Sequence, residues 1–94
     1  MIFDNRQGDG QSSKRTFAEI RSTILLALSS GQKTVNKLST QTGLTWKTVD
    51  NHLIYLIGRG YVKEVFASPY VKIYELSERG QEGIEPLLHL EARQ

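Results

Sequence analysis

The sequence predicts an α+β fold in which three helices lead into a β-hairpin and a last helix closes the chain. Two observations carry this. Before residue 60, apolar residues recur at three- and four-residue steps in three segments, each opened by a threonine and closed by a glycine. After residue 60, two short runs rich in Val, Ile, Phe and Tyr flank a proline-bearing turn. The length of 94 residues allows one domain with a thin core.

The first helix is expected over about 17–29. Thr16 and Glu19 form a capping box, and Phe17, Ile20, Ile24 and Leu28 line one face. Ser29-Ser30-Gly31 ends it. Gln32-Lys33-Thr34 reads as a connector with room for a two-residue strand. Thr34 caps a short second helix through Thr42, with Val35 and Leu38 facing inward, and Gly43 stops it. Thr45 caps a third helix from Trp46 to about Arg59, with Val49, Leu53, Leu56 and Ile57 as its expected buried stripe and Gly60 after it. The runs 61–66 and 71–76 are the hairpin strands, with Pro69 in the turn because it cannot donate to a ladder. Ser77 caps the last helix. Gly80, Gly83 and Pro86 weaken that helix, and Ile84, Leu87, Leu88 and Leu90 give it an apolar side. Residues 1–15 show neither period and read as a flexible N-terminal arm that carries Arg6, Lys14 and Arg15.

Composition excludes several functions. The chain has no cysteine, which removes a disulfide scaffold, a thiolate zinc site and a thiol nucleophile together. His52 and His89 stand alone without ligand spacing, so no metal or other cofactor is expected. No Ser/His/Asp grouping, phosphate loop or carboxylate pair stands out, and an enzyme is not expected. No apolar run reaches a membrane-spanning length, and the N-terminus lacks the apolar core of a signal peptide. An intracellular, cytoplasmic protein is the expectation. The net charge of +2 is unevenly placed. Residues 1–74 hold ten Lys/Arg against five Asp/Glu, and residues 75–94 hold two against five. A basic body with an acidic end can turn one face to a polyanion.

The segment TVNKLSTQTGLTWKTVDNHLIYL resembles the helix-turn-helix of winged-helix regulators, through Val35, Leu38, Gly43, Leu44, Thr45, Val49 and Leu53. Leu56 to Val62 is similar to that family's passage into the wing, and Tyr74-Glu75-Leu76-Ser77-Glu78-Arg79-Gly80 to its exit. The resemblance spans about residues 17–80. It is closest to MarR- and ArsR-type domains of the compact sort common in archaea and their viruses. It implies a winged helix-turn-helix: a three-helix bundle with a β-hairpin wing over residues 16–80, followed by a C-terminal helix over 81–94 as a candidate dimerisation element. It also implies a sequence-specific double-stranded DNA-binding transcriptional regulator. A homodimer is expected separately, because the C-terminal turns lie beyond what the small core requires.

Physics reaches the same site. A third helix braced behind by Val49, Leu53 and Leu56 can offer its other face to a major groove about 12 Å wide. That face carries Trp46, Lys47, Asp50, Asn51 and Ile54, flanked by Thr45, Thr48 and Tyr55. Thr45 and the first N–H groups of the helix can hold a phosphate. Lys47 can reach a phosphate or guanine, Asn51 an adenine edge, Asp50 the cytosine N4 and Thr48 a thymine methyl. Trp46 could instead cap the core between the second and third helices, and Asp50 could pair with Lys47. Further phosphate contacts are expected from Lys33 and Lys37 near the second helix, and from Lys63, Tyr70 and Lys72 on the hairpin. Phe17, Ile20, Ile84, Leu87, Leu88 and Leu90 are the candidate dimerisation residues, with completion of the monomer's own core as their other use. Two other functions fit the same fold: a protein-interaction module that does not bind DNA, and a single-strand or RNA binder that stacks bases on Trp46, Tyr55 and Tyr70.

Overall fold

The computed structural model describes residues 16–92, and for 87–92 the backbone alone. The expected arm therefore lies outside the described residues, as do the side chains of Leu87, Leu88 and Leu90.

Thr16 closes the capping box with Glu19 in both directions and opens α1 (Phe17–Leu28). The chain then extends through β1 (Lys33–Thr34), and the Thr34 hydroxyl accepts from the Lys37 N–H to start α2 (Val35–Thr42). Gly43 ends α2 at φ +79°, a left-handed position that a side chain disfavours. The Thr42 hydroxyl accepts from the Leu44 N–H, and the Ser39 hydroxyl donates to the Leu44 carbonyl, so the turn's polar groups are satisfied from α2. Leu44 is buried beneath it. Thr45 then accepts from the Thr48 N–H at 3.2 Å and opens α3 (Trp46–Gly58). Arg59 and Ser29, expected as the last helical residues, are the C-caps of α3 and α1.

The hairpin is β2 (Val62–Ala67) with β3 (Lys72–Leu76), one residue later at its start than the pattern suggested. Their antiparallel pairing jumps from Glu64–Tyr74 to Phe66–Ile73, which leaves Val65 as a bulge. β3 also pairs with β1, so the expected hairpin is two thirds of a three-stranded sheet in the order β1–β3–β2. The turn is organised by Ser68, whose hydroxyl accepts from the N–H groups of Tyr70 and Val71, each at 3.1 Å.

Ser77 caps α4 (Glu78–Ala92) by accepting from the Gly80 N–H. Gly80 is more than a weak helix former here. It is buried, and a Cβ at this position would overlap the Tyr61 carbonyl oxygen. That carbonyl accepts from the Ser77 N–H, which fixes the start of α4 against the entry to the wing.

The core is one cluster: Ile20, Ile24, Ala27 and Leu28 of α1, Leu38 of α2, Leu44, Val49, Leu53 and Leu56 around α3, Val62, Tyr74 and Leu76 of the sheet, and Ile84 of α4. Ile20 and Ile84 thus serve the protomer's own core. Ile84 is fully enclosed, so it has no surface left to offer a second copy. Among the described residues, no helix is long and apolar enough to cross a membrane.

Candidate nucleic-acid interface

α3 is two-faced. Val49, Leu53 and Leu56 lie within 1% of complete burial, whereas Trp46 is 61% and Ile54 65% exposed. Lys47 and Asn51 are exposed with them, and Thr48 and Asp50 are half-buried at the margin. Trp46 therefore does not cap the core. The Thr45 and Thr48 hydroxyls are joined at 3.0 Å at the helix start. Among the described residues, no ion pair joins Lys47 to Asp50.

Tyr55, expected beside this face, turns toward α1. The Arg21 guanidinium carbon lies 3.5 Å from the centre of its ring, and that of Arg59 at 5.9 Å. Arg21 also donates from Nε to His52 Nδ1 at 3.2 Å. The His52 ring is buried and meets the edge of Phe17 at a centroid distance of 5.1 Å. Burial, then the Arg21 charge, push the His52 pKa below its ordinary value. The imidazole is thus neutral, and an Nδ1 that accepts leaves the proton on Nε2. Phe17 remains 65% exposed over this cluster. Phe17, Arg21, Thr45, Thr48, Asn51 and His52 line a groove of about 490 Å³ at the start of α3.

The expected phosphate-contacting bases divide. Lys37, Lys47 and Lys72 are exposed. Lys63 is exposed too but paired with Glu75 at 3.3 Å across β2 and β3, and the Glu75 carboxyl pKa is lowered by the hydrogen bond from Gln32 and by Lys63. Lys33 donates from Nζ to the Ser30 hydroxyl and the Gly31 carbonyl, so it braces the turn after α1. Arg21 lies outside the family-like motifs, and Arg59 and Arg79 stand in them only within the passages into and out of the wing, so the sequence marks none of the three as a functional group. Arg79 lies 5.0 Å from the Tyr61 ring centre at the base of the wing and lowers the pKa of that hydroxyl by hydrogen bonding and charge. An Arg four residues after Phe17 was the available signal for Arg21, but only tertiary packing sets it over Tyr55.

At the wing, Tyr70 is 95% exposed. A second groove of about 300 Å³ runs between the wing turn and the starts of α2 and α3, with Trp46, Asp50, Tyr70, Lys72 and Tyr74 among its walls.

The comparisons agree with this geometry. The model of the "Bacterial regulatory protein, arsR family" matches residues 18–64, from α1 into β2. No curated protein matches the chain. Among solved structures, the adhesin competence repressor of Streptococcus pyogenes is similar at 18% identity and a TM-score of 0.74, covering 93% of this chain and 64% of that one. A MarR family regulator from Neisseria meningitidis is similar at 19% identity and a TM-score of 0.72, covering 93% and 61%. The chain thus spans under two thirds of the length of these two regulators. The Zalpha domain of Carassius auratus PKZ, solved with Z-DNA, is similar at 21% identity and a TM-score of 0.60, covering 65% of this chain and 97% of that domain. These likenesses establish the winged-helix fold. The family match takes in half of the chain and the whole helix-turn-helix, and the chain therefore belongs to the arsR family of bacterial regulatory proteins, winged helix-turn-helix DNA-binding transcriptional regulators.

Proposed function

We propose that the protein binds double-stranded DNA sequence-specifically, with α3 in the major groove and the β2–β3 hairpin as a wing along the backbone. The observation that carries this is the two-faced α3: an apolar side locked into the core, and an opposite side of Trp46, Lys47, Asn51 and Ile54 held out to solvent. The open start of α3, with Thr45 and Thr48, suits a phosphate at the groove edge. Lys37, Lys47 and Lys72 supply further backbone contacts. Asn51 and Asp50 are the candidates for reading adenine and cytosine edges. With few bases on α3 itself, affinity per protomer is modest, and a two-fold dimer placing two α3 copies about one DNA turn apart recovers it. We assign the dimer seam to Phe17 and the C-terminal Leu87, Leu88 and Leu90, without Ile20 and Ile84.

Duplex binding measured from about 50 to 200 mM salt tests this reading, since phosphate neutralisation makes log affinity fall linearly with log salt. A steep negative slope supports it. A flat response, or no binding, favours the protein-interaction module. A single-strand competitor that displaces the duplex favours the stacking alternative. A left-handed competitor duplex belongs in the same assay, because one fold neighbour was solved with Z-DNA. Selection from random duplexes reports the dimer, as two-fold assembly requires a palindrome. Leu87→Glu is expected to lower the sedimentation mass to that of a monomer.

A further inference from the structure

The groove between the wing turn and α3 has a composition that a phosphate track does not explain. Two of its walls are exposed aromatics on different elements: Trp46 at the start of α3 and Tyr70 at the tip of the turn. Asp50 lines the same groove, and its carboxylate repels phosphate and accepts only from N–H or O–H donors. Lys72 offsets that charge, so the groove as a whole does not select an anion. Tyr74 also lines it. This residue is 96% buried by its 4% exposure, and among the described residues no group bonds its hydroxyl. Burial, with the carboxylates of Glu64 and Asp50 nearby, raises the pKa of that hydroxyl, so it stays protonated as a donor that can also accept. A tyrosine whose hydroxyl meets no partner among the described residues, in the wall of an open groove, leaves a polar group for a ligand to satisfy.

We infer that this groove binds a nucleobase, with guanine the best fit, presented either as a free nucleoside or as an unpaired base of a strand held on α3. Trp46 and Tyr70 offer the π-faces on which a planar heteroaromatic ring stacks. When it is not engaged by a paired cytosine, the Asp50 carboxylate takes the two parallel N–H donors of a guanine edge, N1–H and N2–H, as a bidentate acceptor. The Tyr74 hydroxyl meets one of the remaining polar atoms of the ring. The volume of about 300 Å³ accommodates one base and its sugar but not a stacked pair. For the strand-borne base, the inference rests on the DNA-binding reading above. For the nucleoside it does not, and the test separates them.

Trp46 is the sole tryptophan, so in the absence of duplex its fluorescence reports this groove. The full chain is titrated with guanosine, cytidine and uridine. Guanosine is expected to quench saturably and tightest. Asp50→Asn, which keeps the shape and removes the charge, is expected to weaken guanosine about tenfold and leave uridine nearly unchanged. Tyr74→Phe tests the hydroxyl alone and is expected to weaken guanosine severalfold without altering the circular dichroism spectrum. In a second arm, a duplex carrying one unpaired dG is compared with its fully paired counterpart, and at least fivefold tighter binding is expected. Saturable guanosine quenching lost in Asp50→Asn, or the dG preference lost in the same variant, sustains the inference in the corresponding form. Neither nucleoside quenching nor a dG preference, with paired duplex still bound in a salt-dependent way, overturns it and leaves the DNA-binding reading standing. Guanosine binding without any duplex binding does the reverse.

Discussion

The Arg21 guanidinium carbon sits 3.5 Å from the centre of the Tyr55 ring while its Nε donates to His52, so one α1 side chain clamps two successive turns of α3. This clamp ties α3 to α1 beside the core contacts of Val49, Leu53 and Leu56. The bond to His52 makes it sensitive to protons. A charged His52 loses its acceptor at Nδ1 and faces the Arg21 charge, with Phe17 edge-on and no carboxylate from α1 or α3 in the cluster to compensate.

The first prediction follows from the sign of that shift. The folded His52 pKa lies below the unfolded value near 6.5, so below that pH the unfolded chain binds more protons than the native one. Stability is whole above about pH 6.5 and falls as pH drops through that value toward the folded pKa. Melting temperatures measured from about pH 7.5 down to 5 should therefore decline. His52→Gln keeps an acceptor for Arg21 and does not titrate, so its curve should be flatter than wild type over that range. Equal slopes for the two proteins would remove His52 as the cause.

A second prediction contrasts two neighbours on α3. Leu53 is 1% exposed and Ile54 65%. Leu53→Ala should cost about 2–5 kcal/mol in urea unfolding, a large share of the stability of so small a domain. Ile54→Ala should stay within about 0.5 kcal/mol. Comparable losses would mean that α3 is not braced as described.

Gly80 provides the third. Alanine usually stabilises a helix, by up to about 1 kcal/mol over glycine. At this position the added Cβ meets the Tyr61 carbonyl, which is backbone and cannot rotate away. Gly80→Ala should therefore destabilise, by about 1–3 kcal/mol, and Gly83→Ala, with only the Tyr61 ring edge at 4.0 Å, should not. Thermal melts of the two variants side by side decide it.

The fourth concerns the reading face. Lys47→Ala should weaken all duplexes alike and reduce the salt slope by about one. Asn51→Ala should cost about 1–3 kcal/mol on a selected site and little on random duplex. Both side chains are exposed, so neither change should lower the melting temperature. Wild-type binding by both would take α3 out of the groove.

The local rules of the chain were sufficient for most of the fold. Threonine caps at Thr16, Thr34 and Thr45, glycine stops at Gly43 and Gly60, and the period of Ile20, Ile24, Leu28 and of Val49, Leu53, Leu56 are all short-range signals, read within a few residues. The same period left Trp46, Lys47, Asn51 and Ile54 on the outer face of α3, because a helix that buries one stripe must expose the opposite one. What depends on contacts distant in sequence was not legible. β1 joins the sheet only because Lys33 and Thr34 meet Tyr74 and Ile73, some forty residues on. Gly80 reads as a helix breaker until the Tyr61 carbonyl is seen against it. Lys33 and Lys63 read as free cations until Ser30 and Glu75 are found beside them. Arg21, Tyr55 and His52 belong to two helices with no shared motif. Sequence alone thus determined most of the residues that turn inward on each element; Phe17 and Ile57, which share the apolar period, are 65% and 38% exposed because no element among the described residues encloses them. Tertiary structure decided which outward groups remain unpaired for a partner, because pairing is set by distances between elements and not by periodicity within one.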